Sequence, residues 1–176
     1  KIQLQDEQPF WAYLILKLDI KEDTEGKIPP WGGMGVNPKG ELLWKKEFVD
    51  KLTDPELKFV LAHEVGHLVF SHLVRKGNRD AMTWNLVTDA VLNEILNENG
   101  FRAPPKCVLP VDHKIELFGT LIENTNEKTA EQLYDEMPEN SKDSGESGEG
   151  TKRFDDHGFG EGMSEGEKAS SEEKWK

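Results

Sequence analysis

The apolar residues of the chain are unevenly distributed. They concentrate before about residue 137, whereas Ser, Gly, Glu and Lys dominate beyond it. A segment must bury apolar surface to offset the entropy that it loses on folding. We therefore predict a folded domain over residues 1–137 and an acidic, Gly/Ser-rich linker or tail over residues 138–176. Residues 164–176 have the pattern of a polar helix that is cut off, so we expect a further C-terminal domain to follow the tail.

Apolar residues recur at helical spacing in several stretches of the first part. Thr53 and Thr129 each open a capping box, since Glu56 and Gln132 follow three residues later. Gly66 lies in the middle of one predicted helix and indicates that another segment packs closely there. The predicted helices cover residues 9–20, 45–52, 54–76, 81–99 and 129–137.

The stretch before residue 45 has a different pattern. Asn37-Pro38-Lys39-Gly40 is a strong turn signal between residues 34–36 and 41–44, which we interpret as two short strands. This hairpin either covers the core or docks an extended peptide by adding main-chain hydrogen bonds. Residues 101–121 are predicted to be mostly loop. The pattern predicts an α+β fold, mainly helical, with a small hairpin or sheet.

The predicted helix over residues 54–76 contains His63-Glu64-Val65-Gly66-His67, the pattern H-E-x-x-H. Residues four apart lie about 40° apart around a helix, so His63 and His67 share a face and Glu64 lies on its flank. Two such imidazoles bind zinc, and the glutamate acts as general base toward a water. The neighbouring residues are apolar on nearly every side, which predicts a buried helix. The alternative is a pair of core histidines hydrogen-bonded to Glu64.

The next predicted helix supplies a candidate third ligand. Asn85, Asp89 and Asn93 recur every four residues on an otherwise apolar helix. A carboxylate amid so much apolar surface needs a partner, and we predict that Asp89 binds the metal. Asn85 and Asn93 would then position the ligands or contact substrate. The alternative is a polar seam, hydrogen-bonded to a neighbouring element or facing solvent.

Other third ligands are less well placed. His72 follows His63 by nine residues, about 900° around a regular helix, and so would lie on the opposite side. His113 belongs to a loop, and Glu94 and Glu98 lie off the Asp89 face or far along the helix.

Charge and cysteine content narrow the function classes. The net charge of −12 argues against nucleic acid and anionic membrane surfaces as partners. The apolar stretch over residues 10–18 is too short to span a bilayer. The single cysteine, Cys107, cannot form an intrachain disulfide, which fits a reducing compartment such as the cytoplasm.

A short motif interrupts the predicted tail. Asp155, Asp156 and His157 lie between aromatic residues. They could bind metal, return to the predicted site or cap the next element. The alternative is a solvated turn.

The run from residue 63 to residue 93 resembles a bacterial family of predicted metallopeptidase domains. In that family the zinc helix is followed by an Arg-rich turn and a Trp-Asn-x-x-x-Asp helix. The matching residues are His63, Glu64, His67, His72, Arg75, Arg79, Asp80, Trp84, Asn85, Asp89 and Asn93. The resemblance implies a zincin-like fold, with a von Willebrand factor A-like domain after residue 176 and an AAA-type ATPase as partner.

Two functional hypotheses follow. The first is a zinc-dependent peptidase, acting on peptide or protein substrates, in which His63, His67 and Asp89 hold the metal and Glu64 is the base. The second is a latent or inactive metal-containing module that serves as a scaffold beside the ATPase. Candidates for positioning the ligands or contacting substrate are Asn85, Asn93, Arg75, Arg79 and His157.

Overall fold

A computed structural model describes residues 2–142, together with residues 173 and 175. It has the predicted α+β architecture, with helices around two small sheets. The helices are α1 (Ile2–Glu7), α2 (Pro9–Ile15), α3 (Lys46–Val49), α4 (Asp54–Val69), α5 (His72–Arg75), α6 (Ala81–Glu98) and α7 (Ala130–Glu136). The strands are β1 (Asp19–Glu22), β2 (Met34–Val36), β3 (Glu41–Trp44), β4 (Lys114–Leu117) and β5 (Thr120–Glu123). Two 3₁₀ turns, Thr125–Glu127 and Glu139–Ser141, flank α7.

The predicted hairpin is confirmed and forms part of a three-stranded sheet. Strands β2 and β3 pair antiparallel, with Gly35 opposite Leu43. The turn between them is held by the Asn37 side chain, whose Oδ1 accepts hydrogen bonds from the backbone of Lys39 and Glu41. Strand β1 pairs with the other edge of β3 in parallel, giving the order β1-β3-β2.

Strand β1 corrects one prediction. The helix predicted over residues 9–20 ends at Ile15, and residues from Asp19 onward extend beside β3. All four β1 residues are exposed. The strand therefore has no buried face that would give it a regular alternation of apolar and polar residues. Its conformation depends on pairing with a strand some 20 positions later, as in Asp19 opposite Glu41. Local sequence patterns carry little information about such a pairing.

Helix α4 begins as predicted and ends earlier than predicted. Its first turn is capped by Glu56, whose carboxylate accepts a 2.8 Å hydrogen bond from the Thr53 backbone N–H. The helix ends at Val69, because Ser71 adopts a left-handed conformation with φ of 55°. A separate short helix, α5, follows. The prediction of one continuous helix up to Gly77 is therefore wrong.

Helix α6 connects two hydrophobic clusters. Its C-terminal half packs Leu92 and Leu96 into a first cluster with α2, α4 and the three-stranded sheet. Its N-terminal half packs Trp84 and Leu86 into a second cluster with α7 and the β4–β5 hairpin. The Asp80 side chain caps α6 as predicted, accepting a hydrogen bond from the Thr83 N–H. One helix thus contributes to both clusters.

The β4–β5 hairpin lies where loop was predicted. Its turn residues, Phe118 and Gly119, both have positive φ, and its strands pair Ile115 with Ile122. Packing continues past residue 137, since Thr83 donates a hydrogen bond to the Ser141 carbonyl. Trp175 is buried in the first cluster. The division of the chain at residue 137 stays a prediction, as does the domain expected to follow.

Within the described ranges, no helix combines the length and the apolar character that crossing a bilayer would require.

Candidate metal centre

Three ligand atoms converge between α4 and α6. The Nε2 atoms of His63 and His67 lie 3.1 Å apart. Asp89 Oδ1 lies 3.8 Å from the first of these nitrogens and 3.3 Å from the second. The three side chains form a group that could hold a metal ion. The structure thus brings together the two histidines of the H-E-x-x-H pattern and the carboxylate that the sequence predicted as the third ligand.

The size of this triangle fits a small divalent ion. Ligand atoms at about 2.0–2.1 Å from a tetrahedral zinc ion lie about 3.3–3.4 Å from one another. The observed separations of 3.1, 3.3 and 3.8 Å bracket that value. Two imidazoles and one carboxylate are also a ligand set that zinc accepts. The residues present therefore fit the metal that the sequence predicted.

The protonation of His63 supports the same conclusion. Its Nδ1 lies 2.6 Å from Asn93 Oδ1, and the Asn93 amide Nδ2 donates a 2.8 Å hydrogen bond to the Val108 carbonyl. Because that carbonyl can only accept, the amide orientation is fixed and its oxygen faces His63. His63 Nδ1 must then carry the proton. Its Nε2 presents a lone pair to the point that His67 and Asp89 share, as a metal ligand requires.

The whole group is buried. His63 and Glu64 are fully inaccessible, His67 is 1% exposed and Asp89 is 3% exposed. Charged and polar groups lose their hydration at such depth, which costs several kcal/mol unless they are paired or bound to metal. Glu64 follows His63 directly on α4, on the flank of the face that carries the two histidines.

Gly66 allows α4 and α6 to approach each other. A Cβ atom at this position would lie 2.6 Å from Leu92 Cδ1, closer than carbon atoms can pack. Leu92 follows Asp89 by three residues, so both point from the same side of α6 toward α4. The glycine therefore brings the Asp89 carboxylate within reach of the histidines. The predicted close packing at Gly66 is confirmed.

His72 corrects a second prediction. It was expected on the far side of a continuous helix, but the break at Ser71 returns it to the site. His72 Nδ1 lies 3.2 Å from His67 Nδ1, and the ring is 2% exposed. No local signal marked the break, because serine rarely adopts a left-handed conformation and the Ser71 side chain makes no capping hydrogen bond to α5.

The two arginines of the sequence motif contact other parts of the protein. Arg75 forms a two-pronged ion pair with Glu131 of α7 and donates a hydrogen bond to the Phe70 carbonyl. Arg79 lies over the ring of Trp84, 4.9 Å from its centroid. Both side chains therefore pack α5 and the turn after it against α6 and α7. A role in substrate contact stays a prediction for either of them.

Of the three remaining predicted residues, two lie in the described part of the chain. Asn85 is half-buried, one turn before Asp89 on α6, and its backbone carbonyl accepts a hydrogen bond from the Thr88 hydroxyl. Asn93 contacts His63 as described above. His157 lies outside the described residues, so its predicted contribution stays a prediction.

The weaker third-ligand candidates form a group of their own. His113 Nδ1 lies 2.9 Å from Glu94 Oε1 and 3.8 Å from Glu98 Oε1. The hydrogen bond to Glu94, aided by the charges of Glu94, Glu98 and Asp112, raises the pKa of the His113 imidazole above its ordinary value of 6.5, although desolvation opposes this. These side chains form an ion pair beside α6 rather than joining His63 and His67.

Comparison with known proteins agrees with this geometry. A family model described as a putative metallopeptidase domain matches residues 1–175. The chain belongs to this family. No curated protein and no solved structure matches it. The resemblance noted in the sequence is therefore confirmed, and a metallopeptidase domain with a His/His/Asp group suited to a metal is what the family and the structure together support.

Proposed function

We propose that this metallopeptidase domain is a zinc-dependent peptidase. The observation that carries the proposal is the convergence of His63 Nε2, His67 Nε2 and Asp89 Oδ1 between two helices, at separations that suit a tetrahedral ion. Zinc, when bound, supplies a water of lowered pKa and polarises a carbonyl oxygen. Peptide or protein chains are the proposed substrates, in keeping with the family.

Glu64 is the proposed general base. It takes a proton from the attacking water and later delivers it to the nitrogen of the leaving amine. Neither histidine can serve instead, since His63 Nδ1 donates to Asn93 and both Nε2 atoms face the metal position.

Replacing Glu64 by Gln tests this division of roles. The variant keeps the size of the side chain and removes its basicity, so we expect hydrolysis of an unfolded protein such as casein to fall by at least about 100-fold. Zinc content should stay at one ion per chain, because Glu64 is not a ligand. Glu127→Gln, on an exposed turn, is the matched control and should cleave like the parent. A Glu64→Gln variant as active as the parent would remove Glu64 from the mechanism.

The burial of the site favours a second candidate function. With Glu64 fully inaccessible and His67 1% exposed, a peptide cannot reach these groups without a rearrangement. The domain would then be a latent or inactive metal-containing module that binds or scaffolds other proteins. An AAA-type ATPase and a von Willebrand factor A-like domain are the proposed partners, and the cytoplasm is the proposed location. Stoichiometric zinc without cleavage of unstructured peptides would favour this alternative.

A further inference from the structure

His72 contacts the metal group although it lies outside the H-E-x-x-H motif. Its Nδ1 is 3.2 Å from His67 Nδ1, on the side of that imidazole away from Asp89. The two rings meet edge to face, with centroids 5.0 Å apart and an interplanar angle of 75°. The 3.2 Å separation of the two Nδ1 atoms is itself a hydrogen-bond distance.

Several features hold His72 in this position. The left-handed conformation of Ser71 turns the chain after α4, and Trp84 of α6 donates a 2.8 Å hydrogen bond from Nε1 to the His72 carbonyl. The Phe70 ring stacks on the imidazole, with an interplanar angle of 21°. A left-handed Ser is less stable than a right-handed one. The fold therefore maintains an unfavourable backbone conformation at the point that directs His72 toward His67.

The contact has a specific chemical consequence. For His67 Nε2 to present a lone pair to a metal, the ring proton must lie on Nδ1. That proton needs an acceptor, and His72 Nδ1 lies within hydrogen-bond distance of it. Asn93 Oδ1 plays the same part for His63. Each histidine ligand thus has an acceptor behind it, and the two acceptors come from different elements.

We propose that His72 is a positioning residue for the metal, accepting a hydrogen bond from His67 Nδ1–H and so fixing the tautomer and orientation in which His67 binds. The inference rests on the proposed function, because it assumes that His67 is a ligand. Partners of this kind typically change metal affinity by 10–100-fold when they are removed. His72 itself need not touch the metal or the substrate.

Two substitutions of His72 separate positioning from packing. His72→Leu removes the acceptor, whereas His72→Asn keeps an acceptor oxygen close to the position of Nδ1. We expect zinc affinity, measured by competition with a chromogenic chelator, to fall by about 10–100-fold in His72→Leu. His72→Asn should recover most of that loss. Tyr13→Leu replaces an exposed ring that belongs to neither candidate metal group, as the control, and should bind zinc like the parent.

The outcomes distinguish the inference from the proposed function. If the parent binds zinc and His72→Leu binds it equally well, His72 has no positioning role and the proposed function is unaffected. If His72→Asn binds as weakly as His72→Leu, the effect is one of packing and the inference is wrong. A parent that binds no zinc would overturn both.

A measurement without substitutions covers the case in which His72→Leu does not fold. Nitrogen-15 NMR of the zinc-loaded parent assigns the tautomer of each imidazole. We expect His67 to carry its proton on Nδ1 and His72 to carry its proton on Nε2. A proton on His72 Nδ1 would contradict the proposed hydrogen bond.

Discussion

At the scale of single residues, the candidate site depends on which nitrogen of each histidine ring faces the metal position. Asn93 fixes which nitrogen of His63 faces Asp89, through a chain of hydrogen bonds that ends on the Val108 carbonyl. Asp89 and Asn93 lie one turn apart, so one face of α6 supplies both a ligand and the acceptor behind another ligand.

The sequence predicted only part of this arrangement. The pairing of His63 with His67 followed from helix periodicity, and Asp89 was predicted as the third ligand because a carboxylate amid apolar residues needs a partner. The position of His72 depends on one backbone angle, the positive φ of Ser71. Serine rarely adopts that conformation, and no spacing rule indicates it. The residue could be placed only once the turn was known.

His113 provides a pH-dependent test at this scale. The hydrogen bond that the His113 imidazolium donates to Glu94 raises the His113 pKa above 6.5, so the ion pair contributes its full stability below pH 6.5. That contribution is lost as the pH rises through the raised pKa of the folded state. NMR titration of the chelator-treated protein should show this raised pKa, and Glu94→Gln should lower it toward 6.5. Glu25→Gln, a distant exposed change, should leave it unaltered, and an ordinary pKa in the parent would contradict the ion pair.

At the scale of elements, the distance between α4 and α6 decides whether a metal group exists. Gly66 sets this distance because its missing side chain leaves room for Leu92. The sequence indicated a close neighbour at Gly66 without naming it. Identifying Leu92 required the relative position of two helices, which no local pattern contains.

A double substitution tests the contact between the helices. Gly66→Ala should gain up to about 1 kcal/mol of helix propensity and lose about 1–3 kcal/mol to overpacking against Leu92. We therefore expect a lower free energy of unfolding in urea. In a Leu92→Ala background the overpacking disappears, so the same substitution should raise the free energy of unfolding. Leu92→Ala alone is the reference, and an equal effect of Gly66→Ala in both backgrounds would show that the contact is absent.

Elements marked by a local sequence signal were predicted well, and those without one were missed. The capping boxes at Thr53 and Thr129 mark helix starts that the structure reproduces. Strand β1 forms only beside β3, and the β4–β5 turn places Phe118 at a positive φ where Gly or Asn is usual. Both were missed because neither carried the expected local signal.

At the scale of the whole molecule, α6 connects two hydrophobic clusters, and the metal group lies where α4 packs against it. The predicted α+β class is confirmed because it needed only the types of element. The burial of Trp175 in the first cluster was not predicted, since nothing near this tryptophan in the polar C-terminal stretch indicates a distant core.

The most direct test of the central claim is an anomalous difference map of zinc-grown crystals, collected above and below the zinc absorption edge. We expect one peak between α4 and α6, bonded to His63 Nε2, His67 Nε2 and an Asp89 carboxylate oxygen. The group of Glu94, Glu98 and His113 serves as an internal control, because its ligand atoms also lie close together. A map with no peak at His63 and His67, or with its peak at His113 instead, would contradict the account.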